Sequence, residues 1–427
     1  MKPQERKRVA IVGTGISSLT CAHVLSRRHE VTLFDGADYI GGHTNTHDID
    51  WKGQKLALDT GFIVFNDWTY PNFLKLLSQL GVKAQPSDMS FSVRCERTGL
   101  EYNGTSFNSI FAQRSNLLRW SFWRMLREIV RFNREAPAIL ERPDDQTKLS
   151  DFLREGRYSR EFVDNYLVPM GAAIWSASPE QMQGFPARYF VQFFANHGFL
   201  SVDDRPTWRV VEGGSRTYAE KLVRPFADRV HLSSPVEAVT RLDGGGVEVK
   251  VRGRDPERFD AVVLGCHSDQ ALGILSDASD AERAVLGAIP YQENEATLHT
   301  DARLLPKRRL AWASWNYHLP KVGTPRVSVS YWMNMLQSLE SSQGLADGTQ
   351  FLVTLNRSED VDPSKILKRI TYHHPTYTPE GVAAQARHAE ISGVRDTYFC
   401  GAYWRYGFHE DGVVSGLAVC RQFGMDL

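Results

Sequence analysis

At 427 residues, 42% of them hydrophobic, the chain can bury a full core and divides into two or three lobes. Lys+Arg 50 balance Asp+Glu 50, so no global field favours nucleic acid, and function has to be sought in individual sites. Cys21, Cys95, Cys266, Cys400 and Cys420 contain no CxxC pair and several lie in apolar segments, which points to reduced, buried thiols and away from disulfides or a metal centre. No apolar run approaches the roughly 20 residues of a spanning helix. The polar Met1 to Arg8 segment leaves no apolar stretch for a secretory signal ahead of the first strand, so a cytoplasmic location is expected.

Val9-Ala10-Ile11-Val12 has the unbroken apolar character of a parallel strand covered on both faces. Gly13-Thr14-Gly15-Ile16-Ser17-Ser18 then opens a helix running to about Arg28, and Val31-Thr32-Leu33-Phe34 forms a second strand ending at Asp35. This is a complete βαβ unit of dinucleotide-binding type. Its glycines permit a tight turn and close approach to a pyrophosphate, the helix start offers free N–H groups, and Asp35 is placed to accept from ribose hydroxyls. Ser18 stands where the pattern has a third glycine, in a position concerned with helix-to-strand packing.

A second glycine pair, Gly41-Gly42, follows the acid and leads into His43-Thr44, and Asp59-Thr60-Gly61-Phe62 comes next. In these residues the chain resembles the flavin amine oxidase superfamily. The resemblance implies FAD, with both glycine segments beside the pyrophosphate and flavin. It also implies an α/β Rossmann-like FAD-binding fold with an α+β substrate lobe. His43 replaces the arginine usual after the glycine pair, so the pyrophosphate is expected to lean more on backbone donors.

Further along, Leu118, Phe122, Met125, Leu126 and Ile129 recur at helical spacing among Arg119, Arg124, Arg127, Arg131 and Arg134. Leu117 to Arg134 therefore reads as a basic amphipathic helix that either packs inward or rests on an anionic membrane surface, on the inner face. Tyr189 to Gly198 and Trp312 to His318 combine large apolar side chains with a few polar tips, as a greasy pocket requires. His373-His374 lacks metal-ligand spacing and is read as structural. Val236 to Arg241 and Val247 to Val251 alternate around Gly244-Gly245-Gly246, which predicts a hairpin and not a phosphate loop. Asp260 to Gly265 returns as a buried strand. Thr397 to Gly401 is another strand, and Gly407 to Gly412 leads into a helix from about Val413.

By the resemblance, Val236 backbone groups hold the adenine edge, while Gly401, Gly412 and Val413 bring the last helix start to the flavin ring. The expected cofactor set is therefore Gly13, Gly15, Ile16, Ser17, Ser18, Asp35, Gly41, Gly42, His43, Thr44, Thr60, Gly61, Val236, Gly401, Gly412 and Val413. The domains divide as 1–75, 210–290 and 390–427 for FAD, with 76–209 and 291–389, including a helical subdomain, for substrate. Cys400 lies outside the family's covalent-flavin context, so noncovalent FAD is expected. The family's lysine near flavin N5 is replaced by Asn294 or Glu295, and Phe408 takes the place of a cage tyrosine.

Gly41 to Thr46, Trp312 to Tyr317 and Gly407 to Gly412 further resemble the flavoprotein branch associated with cyclopropane fatty-acyl-phospholipid synthases. That likeness implies dehydrogenation of a lipid acyl chain, methylated or cyclopropane-bearing, by hydride transfer to flavin N5. His409, Glu410, His197 and Tyr317 are the candidates for proton handling. The alternatives are a small-molecule amine oxidase and a non-catalytic flavin-bearing partner of a lipid methyltransferase.

Overall fold

The computed structural model describes residues 6–142, 145–201, 203–321 and 326–427; Met1 to Glu5 of the polar leader lie outside the described residues. The strand Arg8–Val12 lies at the centre of a five-stranded parallel sheet. Its neighbours are Glu30–Phe34 on one side and Ala261–Leu264 on the other, with Val230–His231 and Thr397–Phe399 at the edges. Val9, Ala10 and Ile11 are fully buried because helices and loops cover both faces, which is why this strand is apolar without alternation. Three remote stretches of chain thus complete a sheet begun by the first 34 residues.

The first helix spans Ile16–Leu25, ending short of Arg28. Against it lies the last helix, His409–Gln422, which starts four residues before the expected Val413. The earlier start has a local cause: Asp411 accepts the Phe408 N–H at 3.0 Å, and Glu410 and Asp411 place negative charge in the first turn. The two helices approach closely because Gly412 and Gly416 lack side chains. A Cβ at Gly412 would lie 2.6 Å from Ile16 Cγ2, and one at Gly416 would strike the Ser17 carbonyl oxygen.

A second large sheet has seven strands. They run in the order Ile366–Pro375, Tyr291–His299, Leu352–Leu355, Val329–Trp332, Trp315–Leu319, Phe91–Cys95 and Leu100–Asn103. All pairs are antiparallel except Trp315–Leu319 with Phe91–Cys95. Helices between Phe107 and Asn196 pack with this sheet in one aromatic-rich core. The predicted hairpin is present: Val236–Arg241 pairs antiparallel with Val247–Val251, and Gly245 and Gly246 take positive φ of 87° and 77° in the turn.

The basic helix occupies Trp120–Glu135. Phe122, Met125 and Phe132 are buried, and Leu126 and Ile129 pack against the same core, so its apolar stripe faces the protein. Leu118 does not join that stripe; it precedes the helix and is 88% exposed.

Candidate active site

A cavity of about 430 Å³ runs from the glycine turns of the parallel sheet to an aromatic chamber under the seven-stranded sheet. At its first end stand Gly13, Thr14, Gly15, Ile16, Ser17 and Asp35, joined by Gly41, Gly42, His43, Thr60 and Gly61. Asp35 is held by its own turn, accepting from Thr14 N at 2.7 Å, Thr14 Oγ1 at 2.6 Å and Ala37 N at 2.9 Å. Thr14 Oγ1 also receives the Gly41 N–H at 3.1 Å, which ties the two glycine segments together. Gly13, Gly41 and Gly42 have φ of 99°, 122° and 60°, a region that side chains resist.

This end fits the expected dinucleotide. A Cβ on Gly15 would meet no protein atom within 4 Å, so the space beside it belongs to the cavity. His43 supplies an unpartnered group there: its Nε2 is buried without a protein hydrogen bond, and burial together with His267 and His373 pushes its pKa down to about 4. A bound anion would satisfy both conditions by offering an acceptor and favouring the protonated ring.

Several expected cofactor residues stand just outside the cavity, each for a packing reason. Ser18 is buried against the strand end, where a Cβ on Gly265 would collide with Ser18 Oγ; the glycine that eases this contact directly follows the strand Ala261–Leu264 instead of lying in the helix. Thr44 turns its hydroxyl to Tyr218 and His409. Val236 is not among the lining residues; it opens the hairpin, while Ser234 N donates to the Asp35 carbonyl at 2.7 Å. Gly412 is used up by the crossing with Ile16, and Val413 is fully buried in the core between helices. The segment that does reach the cavity is Gly401 to Tyr403 and Tyr406 to His409.

The proton-handling candidates separate clearly. Glu410 does not line the cavity: its carboxylate caps the helix Pro71–Gln79, accepting from Asn72 N at 3.1 Å, Asn72 Nδ2 at 2.6 Å and Phe73 N at 2.9 Å. Tyr317, 2% exposed, is buried in the sheet core and absent from the lining. His409 lines the cavity but is locked. Its ring lies flat on Phe62 with centroids 3.4 Å apart, and Nε2 meets Tyr218 Oη at 2.7 Å and Thr44 Oγ1 at 3.1 Å. Burial holds this imidazole far below its ordinary pKa. His197 lines the chamber, and its Nδ1 faces the Phe193 carbonyl at 3.0 Å, so Nδ1 donates and Nε2 is left as an acceptor. Burial pushes His197 down to about 4, so it is neutral near pH 7.

Glu410→Ala should therefore lower stability by about 1–2 kcal/mol, as loss of a helix cap does. The turnover number of the folded fraction should be unchanged. Urea unfolding beside steady-state rates checks this; a rate loss beyond tenfold would return Glu410 to the chemistry.

Sequence reasoning missed the residues between the two ends. His373 and His374, read as structural, both line the cavity with His267, Tyr291 and Tyr372. His43 stacks on Tyr372 at 4.9 Å and meets His374 at 5.2 Å, while His267 stacks on Tyr291 at 4.4 Å. Asn294 stands behind His374, with Nδ2 and Nδ1 3.0 Å apart, and neither Asn294 nor Glu295 lines the cavity. The histidines come from three separate segments and have no sequence spacing to reveal them. Cys266 also lines this region, its thiol pushed up to about 12 by burial, whereas Cys400 is fully buried.

The chamber itself is walled by Met89, Ile174, Trp175, Phe193, Phe199, Trp208, Trp315, Tyr331 and Leu355. Phe408 closes it, stacked on Phe193 at 4.9 Å. Among the described lining residues the one charged side chain is Asp35, at the dinucleotide end.

Comparison with known proteins agrees with this arrangement. The chain is 25% identical over 368 residues to AofH of Mycobacterium tuberculosis, a provisionally named flavin-containing monoamine oxidase, covering 84% of this chain and 72% of that one. In fold it resembles cyclohexylamine oxidase from Brevibacterium oxydans IH-35A, with a TM-score of 0.70 at 15% identity over 98% of this chain and 100% of that one. It also resembles a CLA-producing fatty acid isomerase from P. acnes, with a TM-score of 0.66 at 14% identity over 98% of both chains. The model of the flavin containing amine oxidoreductase family matches residues 16–307, more than half of the chain. The chain accordingly belongs to the flavin containing amine oxidoreductases, which are FAD-dependent enzymes.

Proposed function

We propose that this oxidoreductase removes two hydrogens from a lipid acyl chain, of the methylated or cyclopropane fatty acyl phospholipids handled by the branch it resembles. The observation that carries this reading is the chamber: aromatic and aliphatic walls with, among the described residues, no carboxylate to receive a cationic substrate. Such a lining favours an apolar chain by excluding water, and orients it by shape. The likeness to a fatty acid isomerase adds that this architecture serves acyl substrates in another protein.

When bound, FAD supplies the two-electron oxidising chemistry. The residues of the chain position and deprotonate. The glycine turns and Asp35 hold the dinucleotide end, Phe408 and Phe193 flank the substrate, and His197 Nε2 is the acceptor for a proton leaving the acyl chain. His197→Phe should slow substrate-driven flavin reduction by about 100-fold, the scale of a lost general base, with flavin content unchanged. An undiminished rate in stopped-flow absorbance would remove His197 from the reaction.

Amine oxidation is the second reading. It is favoured by the likeness to AofH and by aromatic walls against which an amine can rest. Anaerobic mixing with methyl-branched or cyclopropane phospholipids should bleach the flavin absorbance and yield lipid lighter by two hydrogens. Bleaching by simple amines with no response to lipids would establish the amine reading. Reduction by neither, with stable co-purification of a lipid methyltransferase, would mark a non-catalytic partner.

A further inference from the structure

The inward turn of the basic helix leaves a different apolar group bare. Phe107 is 71% exposed, Leu118 88% and Trp120 89%, with Leu117 and Trp123 also exposed at 42% and 41%. Phe107, Leu117 and Trp123 are tied together by local contacts, with Leu118 and Trp120 adjoining them in the chain. The Phe107 ring contacts Phe111 at 4.9 Å, Phe111 contacts Trp123 at 5.1 Å, and Trp123 Nε1 donates to the Leu117 carbonyl at 2.9 Å. Folding has buried Phe122, Met125 and Phe132 from the same segment, so the bare residues are those the protein core does not use.

Basic side chains border this group. Along Trp120–Glu135 the exposed positions after Trp120 and Trp123 are Arg124, Arg127, Val130, Arg134 and Glu135, three of them arginines. Arg124 pairs with Glu161 and Arg134 with Glu135 at 2.9 Å, Glu128 is buried and bound to Ser159, and Arg127 has no acidic partner among the described residues. Aromatic and leucine tips beside arginines match the two layers of a membrane surface, apolar below and anionic phosphate above. Two copies of this face would oppose their arginines, so the charge argues for a negatively charged occupant over self-association.

We propose that Phe107, Leu117, Leu118, Trp120 and Trp123 form a peripheral docking surface for an anionic phospholipid bilayer. The apolar tips enter the interface and the arginines of the Trp120–Glu135 face lie against lipid phosphates. This inference draws only on the surface. It holds for either substrate reading, so its test uses straight-chain lipids and measures binding without turnover.

The FAD-loaded full chain should co-sediment with vesicles containing about 30% phosphatidylglycerol and much less with pure phosphatidylcholine vesicles. A Leu118→Ser/Trp120→Ser double variant should bind at least about tenfold more weakly, because it removes the two most exposed tips. Arg127→Glu should weaken binding to the anionic vesicles alone, and about 0.5 M salt should mimic it by screening. Both variants change exposed positions, and an unaltered flavin spectrum and melting temperature confirm that they fold. Wild-type protein that stays in the supernatant with anionic vesicles overturns the proposal. So does binding that both variants leave unchanged, and so does a wild-type dimer in sedimentation equilibrium that the double variant dissociates.

Discussion

Gly15→Ala should give a folded apoprotein of normal stability that binds FAD poorly, whereas Gly61→Ala should lose both the flavin and part of the fold. The two glycines face different neighbours. Around Gly15 no protein atom lies within 4 Å of a built Cβ, so the added methyl enters only the space of the cavity. At Gly61 the Cβ would fall on the His43 carbonyl oxygen, which already accepts the Phe62 N–H at 2.7 Å. Backbone cannot swing aside as a flexible side chain can. The Gly61 variant must separate the His43 and Thr60–Ile63 segments, both part of the cavity wall. The cost should be at least about 1–3 kcal/mol, the range of an overpacked core, with yellow colour lost on purification. Flavin absorbance relative to protein absorbance, with urea unfolding of both apoproteins, separates the two effects. Equal apoprotein stabilities would show that the Gly61 crossing carries no packing constraint.

Asp59→Ala should destabilise the protein strongly, and more at acid than at neutral pH. The Asp59 carboxylate is fully buried, 0% exposed, and joins three parts of the chain. It accepts from Thr46 Oγ1 at 2.6 Å in its own hairpin, from Ser215 N at 3.0 Å and Oγ at 2.8 Å, and from Gln337 Nε2 at 3.2 Å beyond the strand Val329–Trp332. Truncation strands these donors away from water, at a cost of about 3–5 kcal/mol for the group, allowing for relaxation.

The pH dependence follows from burial, which outweighs the hydrogen bonds and raises the Asp59 pKa from 3.8 to about 6. A raised folded pKa means that the folded state binds the proton more tightly than the unfolded chain. The stability from this group is complete below about pH 4 and is lost as pH rises through 6, by roughly 3 kcal/mol. Because the alanine variant has no such proton, the gap between wild type and variant should be widest near pH 4 and narrow above pH 6. Denaturant unfolding at pH 4.5 and 7.5 reads the difference directly. A gap that widens with pH would show that Asp59 is ionised and stabilising in the fold.

These residues also show why some of the site could be read early and some not. Asp35, Gly13, Gly15, Gly41 and Gly42 act on the residues beside them. A turn that needs positive φ, a helix start and an acid at the end of the second strand all leave their marks within about 30 residues, as dinucleotide units do. Glu410, named with His409 for proton handling, follows it directly in the chain, but successive helical residues point in different directions, and its carboxylate belongs to the helix Pro71–Gln79. Tyr317 shares an aromatic strand with Trp315, yet only Trp315 is among the cavity residues.

By itself the sequence determined the βαβ unit, the turn glycines, the hairpin at Gly244–Gly246 and the absence of an apolar stretch long enough to span a membrane, because each rests on local backbone geometry or composition. The tertiary structure decided what no short segment contains. It gathered His43, His267, His373 and His374 from three segments, moved the close-packing glycine from Ser18 to Gly265, and turned Phe122 and Met125 inward while leaving Leu118 and Trp120 bare. Burial is a property of the packed whole, and it alone selects which of many similar aromatic and titratable side chains meets the cavity.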